Sequence, residues 1–228
     1  MSGELDKWQT RLDQQGENDA GDLLGSINFT SVWSNIETLV SMGLDSFGLQ
    51  ETAVPRAKHA AAKGKARACG FDVVLSDVDP EQPGCHAGVG VCTKLPGHVR
   101  ELAMGSDEGN VAQKLGRLLR AAVLTAKGLT YNVLTAYGYA GATKDRGKSH
   151  RTEMIMEAAC IEQGLGCHTA TFLTMDLNHD IDRIPALARA LEAGDWFDLG
   201  ALRHLRGSWR NLLHDPDEQS HSLERFRR

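Results

Sequence analysis

The feature that most constrains this chain is a pair of apolar runs set back to back, "GRLLRAAVLTAKGLTYNVLTAYGY", joined at Lys127-Gly128. Two strand-length runs around a Gly-containing turn predict a β-hairpin. A hairpin needs antiparallel pairing, so a purely parallel, doubly wound sheet does not fit. Around it, "LLGSINFTSV", "DSFGLQET", "FDVVLSDV", "GVGVCTKL" and "TATFLTM" read as further strands. "WSNIETLVSMG" (closed by Gly43), "AKHAAAKGKARACG", "KSHRTEMIMEAACIEQGLG" (ending at Gly164 or Gly166) and "RIPALARALEAGDW" (opened by Pro185) read as helices. "DPEQPGCHA" reads as turns, and the basic and acidic stretch before "GRLLRAAV" as a looser segment. Hairpins mixed with helices suit a mixed sheet, or paired sheets with helices outside.

A chain of 228 residues holds one substantial α/β domain and is short for two. Residues 1–22 are polar, with Leu5, Trp8 and Leu12 at helical spacing, and read as a flexible leader before a domain over 23–228. Apolar residues make up 41% and charged residues 24%, and the longest apolar run is far too short to span a membrane. The start of the chain lacks the basic, apolar and small-residue pattern of a signal peptide. Five cysteines, Cys69, Cys85, Cys92, Cys160 and Cys167, with no C-x-x-C, indicate reduced thiols and an intracellular location, nucleus or cytoplasm undetermined. The formal charge of −5 argues against a strong non-specific grip on nucleic acid but leaves a phosphate-containing substrate open. Two basic clusters, "PRAKHAAAKGKARACG" and "KDRGKSHR", read as solvated faces.

"FLTMDLNHD" ends an apolar run in Asp176, Asn178, His179 and Asp180. On a strand, residues two apart share a face, so Asp176 and Asn178 project together where the strand leaves the sheet. A carboxylate beside a carboxamide can hold magnesium, orient a water or bind a phosphate oxygen; it can equally cap a turn into the next helix. A calcium loop is excluded, because its sixth position is Ile181 and its twelfth is Leu187. "GATKDRGKS" imitates a phosphate-binding loop, but five residues separate Gly141 from Gly147 where that loop has four. A nucleotide-binding protein using Gly141–Ser149 remains a minor alternative. Further strands end in polar residues: Asn28 in "SINFTS", Gln50-Glu51-Thr52 in "FGLQET" and Tyr137 in "LTAYGYAG".

The ordered series "SINFTSV", "FGLQET", "GVGVCTK", "GRLLRAAV", "NVLTAYGYAG" and "FLTMDLNHD" resembles the endonuclease/exonuclease/phosphatase superfamily, the DNase I-like fold. It looks closest to the endonuclease domains of non-LTR retrotransposons and to abasic-site endonucleases. The resemblance runs from about Leu24 to Trp196. It implies a four-layer α/β-β/α sandwich and a Mg²⁺ (or Mn²⁺) phosphoesterase site at one edge, with DNA among the substrates. Position by position, Glu51 matches the main metal ligand and Asn28 a residue supporting metal and phosphate. Tyr137 matches a phosphate-contacting hydroxyl, Asp176 the group that activates the attacking water, and Asn178 a phosphate ligand. Arg117 stands with Asn28 and Asn178 at the substrate.

Two departures from the family pattern follow. Met175 occupies the place of the usual glycine in G-D-x-N, and would either pack inward or crowd the pocket. "GSWRNLLHDPDEQSHSLERFRR" aligns faintly with the family's closing segment, Glu224 standing for an aspartate, and no Ser-Asp-His triplet follows. The resemblance therefore implies a missing last strand and weak or absent activity. The alternative is a catalytically dead remnant acting as a binding module. His179, directly after Asn178, is read as a loop residue facing away from Asp176.

Overall fold

In the computed structural model, which describes residues 23–28, 40–41, 43–81, 87–165 and 169–196, the apolar runs form two four-stranded mixed sheets. The first contains β1 (Leu24–Asn28), β2 (Ser46–Gln50), β3 (Phe71–Leu75) and β4 (Val89–Lys94), in the order β1-β2-β4-β3. The second contains β5 (His98–Glu101), β6 (Leu118–Leu124), β7 (Thr130–Tyr137) and β8 (Thr171–Asp176), in that order. The hairpin through Lys127-Gly128 pairs β6 with β7 from Leu118↔Ala136 to Leu124↔Thr130, and Gly128 takes φ +83° in the turn. β1–β2 and β7–β8 are parallel; the remaining pairs are antiparallel. The helices are α1 (His59–Ala68, after a 3₁₀ turn at Arg56–Lys58), α2 (Asp107–Lys114), α3 (Arg146–Leu165) and α4 (Pro185–Ala193).

The chain divides into two compact units, 1–188 and 189–228. Of the second, residues 189–196 are described. They carry the end of α4 and a turn in which Asp195 N and Trp196 N both donate to Ala190 O. The leader and the segment after Asp195-Trp196, including Ser208, Trp209 and Glu224, lie outside the described residues, as do Cys85, Cys167 and most of "WSNIETLVSMG".

In the first unit the alternation along each strand sorts residues into layers. Ile27, Phe47, Leu49, Phe71, Val73 and Leu75 pack outward against Ala62 and Ala66 of α1. Val74, Val89, Val91, Leu119, Ala121, Val123, Val133 and Tyr137 fill the space between the sheets. α3 covers β7 and α2 covers β6 on the far side. The sequence of layers is helix, sheet, sheet, helix, the four-layer sandwich that the resemblance implies. Gly48 sets how closely the sheets approach. A Cβ there would lie 1.8 Å from Thr174 Oγ1 and 2.8 Å from Thr135 Oγ1, the two hydroxyls that hydrogen-bond each other at 3.0 Å.

The looser stretch after β4 is in fact ordered, as β5 and α2. β5 is a four-residue edge strand with only Val99 buried, so it carries almost no periodic signal. α2, "DEGNVAQK", contains Gly and Asn and has low intrinsic helix preference. Tertiary contacts make it: Ser106 Oγ caps it by accepting from Gly109 N at 2.9 Å, and buried Glu162 of α3 accepts from Gly105 N, Ser106 N and Ser106 Oγ at 2.6–3.0 Å. Arg120 Nη1 stands 3.4 Å from the same carboxylate. Burial acts to raise the Glu162 pKa, but the Ser106 hydroxyl, the Gly105 and Ser106 amides and Arg120 together leave it below the usual carboxylate range.

A carboxyl lowered on folding stabilises the protein above its unfolded pKa, and that contribution fades as pH falls through the lowered value. Glu162→Gln should therefore cost about 2–3 kcal/mol at neutral pH. The deficit against the native chain should shrink in acid, as urea unfolding at both pH values would measure.

Candidate active site at the strand ends

Both parallel pairs send their C-terminal ends the same way, and the register puts Asn28 opposite Gln50 and Tyr137 opposite Asp176. Two hydrogen bonds then join the pairs across the sandwich. Asn28 Nδ2 donates to Asp176 Oδ2, and the Tyr137 hydroxyl donates to Glu51 Oε1. Four residues from four strands, up to 148 positions apart in sequence, meet at one edge. Asn28 is exposed, Glu51 and Asp176 are half-buried, and Tyr137 forms the floor at 3% exposure.

The backbone at this edge is strained. Glu51, Ala53 and Asn178 have φ of +57°, +49° and +51°, and they are the non-glycine residues with positive φ among the described residues. Each such conformation costs on the order of 1 kcal/mol for an L-residue and persists only where the surroundings impose it. Here Thr52 N donates to Gly88 O (3.0 Å) and Ala53 N to Ala87 O (2.9 Å), which turns Glu51 out of β2 toward Tyr137. Asn178 is held by its own N–H, which donates to Asp176 Oδ1 at 3.2 Å. Gly138 completes the corner: its N–H donates to Asp176 O (2.8 Å), and a Cβ there would lie 2.0 Å from Leu177 O.

Met175 does not crowd the pocket. It pairs with Ala136, and strand alternation puts it on the face opposite Asp176, with Thr174 and Asp176 on the inner side. The Asp176 carboxylate takes hydrogen bonds from the Asn28 amide side chain and the Asn178 backbone N–H.

The Tyr137 phenol is raised well above its ordinary pKa, first by burial, then by its hydrogen bond to Glu51 and the charges of Glu51 and Asp176, against a smaller opposing effect of Arg117. It stays protonated at neutral pH, and so can donate a hydrogen bond but cannot serve as a base. Arg117 itself lies beneath this floor. Its guanidinium sits 4.2 Å from the Tyr139 ring centroid and 5.1 Å from that of Tyr137, pairs with buried Asp79 at 3.1 Å and donates to Gly138 O at 3.1 Å. At 2% exposure it supports the tyrosines from behind.

Two amide donors at this edge, Gln50 Nε2 and Asn178 Nδ2, are inaccessible and without a hydrogen-bond partner among the described residues. Buried donors in folded proteins are almost always satisfied, which sets these two apart among the described residues. Gln50, whose Oε1 accepts from Ser26 Oγ at 3.3 Å, is the site residue that reading the sequence left without a role. Its place on the inner face, two residues after Gly48, was the available signal.

His179 is not a free loop residue. Its Nε2 lies 2.7 Å from Ser149 Oγ, which tethers the exit of β8 to α3. The Gly141–Ser149 loop closes on itself. Asp145 Oδ1 accepts from Gly147 N (2.8 Å) and Lys148 N (3.1 Å), and Lys148 Nζ donates to Ala140 O (3.0 Å), so the donors that a phosphate cradle would use face inward.

No group of three or more His, Cys, Asp and Glu side chains converges among the described residues. The donors at the strand ends are two carboxylates, Glu51 and Asp176, and the Asn28 amide oxygen. That set fits magnesium, which usually takes one or two carboxylates and keeps waters or substrate oxygens for its other positions. It does not fit zinc, which favours nitrogen and sulfur. Among the described residues, Cys69 and Cys92 are free thiols; burial and the charge of Asp72 raise the Cys92 thiol, which stays protonated. No described helix is long and apolar enough to cross a membrane.

No protein-family model matches the chain, and no curated protein matches it. Solved structures do. The catalytic domain of human Nocturnin with bound sulfate aligns at 9% identity and a TM-score of 0.46, over 70% of this chain and 63% of that one. A 3′-5′ exonuclease from Neisseria meningitidis aligns at 16% identity and 0.48, over 69% and 57%. An AP endonuclease from Leishmania major aligns at 14% identity and 0.45, over 69% and 55%. The chain thus spans less than two thirds of each of these structures.

Proposed function

We propose that the chain is a divalent-cation-dependent phosphoesterase of the endonuclease/exonuclease/phosphatase superfamily. The observation that carries this reading is the convergence of Asn28, Glu51, Tyr137 and Asp176 from four strand ends, joined by two hydrogen bonds between the sheets. Strained backbone at Glu51 and Asn178 and two unpartnered amide donors beside them are features of a site built to receive something. The finer assignment, to a retrotransposon-type endonuclease, is supported by the six motifs in order.

Glu51 and Asn28 would hold the cation, which when bound supplies positive charge to a phosphate's non-bridging oxygens. Asp176, oriented by Asn28 Nδ2 and Asn178 N, accepts the proton of the attacking water. With Glu51 on the cation, the Tyr137 hydroxyl would turn from it to a phosphoryl oxygen and, with the Asn178 amide, donate where negative charge grows. Arg117 positions Tyr137 and does not touch substrate.

The test is binding together with turnover. Magnesium or manganese at 100 times its dissociation constant should stabilise the native chain by about 2.7 kcal/mol in thermal denaturation. The shift should vanish in Glu51→Ala, and so should hydrolysis of bis(p-nitrophenyl) phosphate. A cation response that persists in Glu51→Ala would remove the proposed ligand set.

A further inference from the structure

The basic cluster that begins five residues after Glu51 has no place in the chemistry above. From Val54 to Gly70 the chain carries Arg56, Lys58, Lys63, Lys65 and Arg67 and not one acidic residue, within a protein whose formal net charge is −5. The structure folds this run into the 3₁₀ turn and α1, on the outside of the first sheet. Ala62 and Ala66 face the core, and helical spacing turns Ala60, Ala61, Gly64 and Ala68 outward, all exposed. Lys63 and Arg67 flank that small-residue ridge on one side and Lys65 on the other, as rotation of 100° per residue requires.

A solvated helix face usually mixes charge signs, so that pairs at i,i+4 offset one another. This face does not. Arg67 pairs with Asp72 at 3.3 Å, and Asp77 takes the backbone N–H of Arg56 rather than its side chain; the side chains of Arg56, Lys58, Lys63 and Lys65 have no acidic partner among the described residues. The second basic cluster is different. There Asp145, Glu153 and Glu81 intervene, with Arg151 Nη1 3.6 Å from Glu81 and Lys148 bound to Ala140 O. On α1 Arg67 alone has an acidic partner, and the run holds no acidic residue, whereas Asp145 and Glu153 stand among the cations of the second cluster.

We propose that the outer face of the Arg56–Lys58 turn and α1 binds the phosphate backbone of a nucleic-acid strand that leaves the Glu51 end of the site. This rests on the phosphoesterase reading and names its substrate class as a polynucleotide. Five residues of extended chain span at most roughly 17 Å, so Arg56 lies within a few nucleotides of Glu51. Small outward residues let a backbone approach the cations closely. They also speak against a membrane headgroup as the partner, because an interfacial helix presents Trp, Phe or Leu to the bilayer and α1 presents alanine and glycine.

The experiment measures binding of fluorescein-labelled oligo(dT) to the full chain in EDTA across a salt series, so that no cleavage intervenes. The comparison is the triple variant Lys58→Glu/Lys63→Glu/Lys65→Glu, with the glutamine triple as a milder control for folding. Each lost phosphate contact on a single strand lowers the slope of log K against log salt by about 0.7, so the slope should fall by about 2 and binding should weaken by roughly tenfold or more. Hydrolysis of bis(p-nitrophenyl) phosphate, too small to reach α1, should be unchanged. Equal affinity and slope in native chain and both variants would overturn the proposal, as would loss of binding to phosphatidylserine vesicles without loss of oligonucleotide binding. If charge-dependent strand binding is found but no ester is hydrolysed, the phosphoesterase reading fails and the binding surface stands. If the small diester is cleaved and the variants bind oligo(dT) normally, the binding surface fails alone.

Discussion

Asp176→Ala should lower the cation-dependent turnover of a phosphodiester by about 10²- to 10⁴-fold, the usual contribution of a positioned general base. The carboxylate has the geometry for that role. Asn28 Nδ2 and Asn178 N hold one oxygen each, no arginine pairs with it among the described residues, and Tyr137 stands opposite in the adjoining strand. Asp176→Asn is the sharper variant, because it keeps the size and one of the two hydrogen-bond acceptors while removing the carboxylate's basicity. A rate loss as large as that of the alanine variant, with cation-induced stabilisation preserved, would identify proton transfer as the function of this group. Asn28→Ala should cost less than Asp176→Ala, since it loosens the carboxylate without removing it. Initial rates at saturating substrate separate these outcomes.

The largest effect on stability should come from beneath the site. Arg117 and Asp79 form an ion pair with side chains 3% and 0% exposed. Removing one partner leaves the other charge buried without its counter-ion, which costs about 3–5 kcal/mol. Asp79→Ala or Arg117→Met should therefore lower the unfolding midpoint by roughly 6–20 °C at the usual 2–4 °C per kcal/mol for a chain of this size. The double variant Asp79→Leu/Arg117→Met should be much less destabilised than either single change, because replacing a buried pair with apolar groups is often neutral. Its activity should nonetheless stay low. Arg117 also fixes the Gly138 carbonyl and lies against the Tyr137 and Tyr139 rings, so an apolar core there would restore stability without restoring the position of the phenol.

This separation of stability from position explains what the sequence could and could not disclose. The hairpin, the buried strands and the long helix α3 were legible because each carries a local pattern: a Gly-containing turn, alternation, or an apolar face at helical spacing. β5 and α2 were not: β5 is a short edge strand ordered by its pairing with β6, and α2 depends on Glu162, which lies 56 residues beyond Ser106 and supplies the contacts that a weak helix former lacks. The site divides in the same way. Glu51, Tyr137 and Asp176 could be singled out as polar residues closing apolar runs. That Asn28 would donate to Asp176, and Tyr137 to Glu51, is a property of how the two sheets stack, which Gly48 permits by carrying no side chain. Arg117 shows the limit most clearly. Its position in the motif suggests a hand extended to substrate, and only the fold shows that Asp79, 38 residues earlier, holds it in the interior.

The central claim is that the four strand ends form one chemical unit. The most direct measurement is a double-mutant cycle on Glu51 and Asp176, with magnesium-dependent hydrolysis of bis(p-nitrophenyl) phosphate as the readout. Residues that act together are strongly non-additive. The expected result is that Glu51→Ala/Asp176→Ala loses about as much activity as the worse single variant. Losses that multiply as for independent sites, or native-level hydrolysis in either single variant, would contradict the claim.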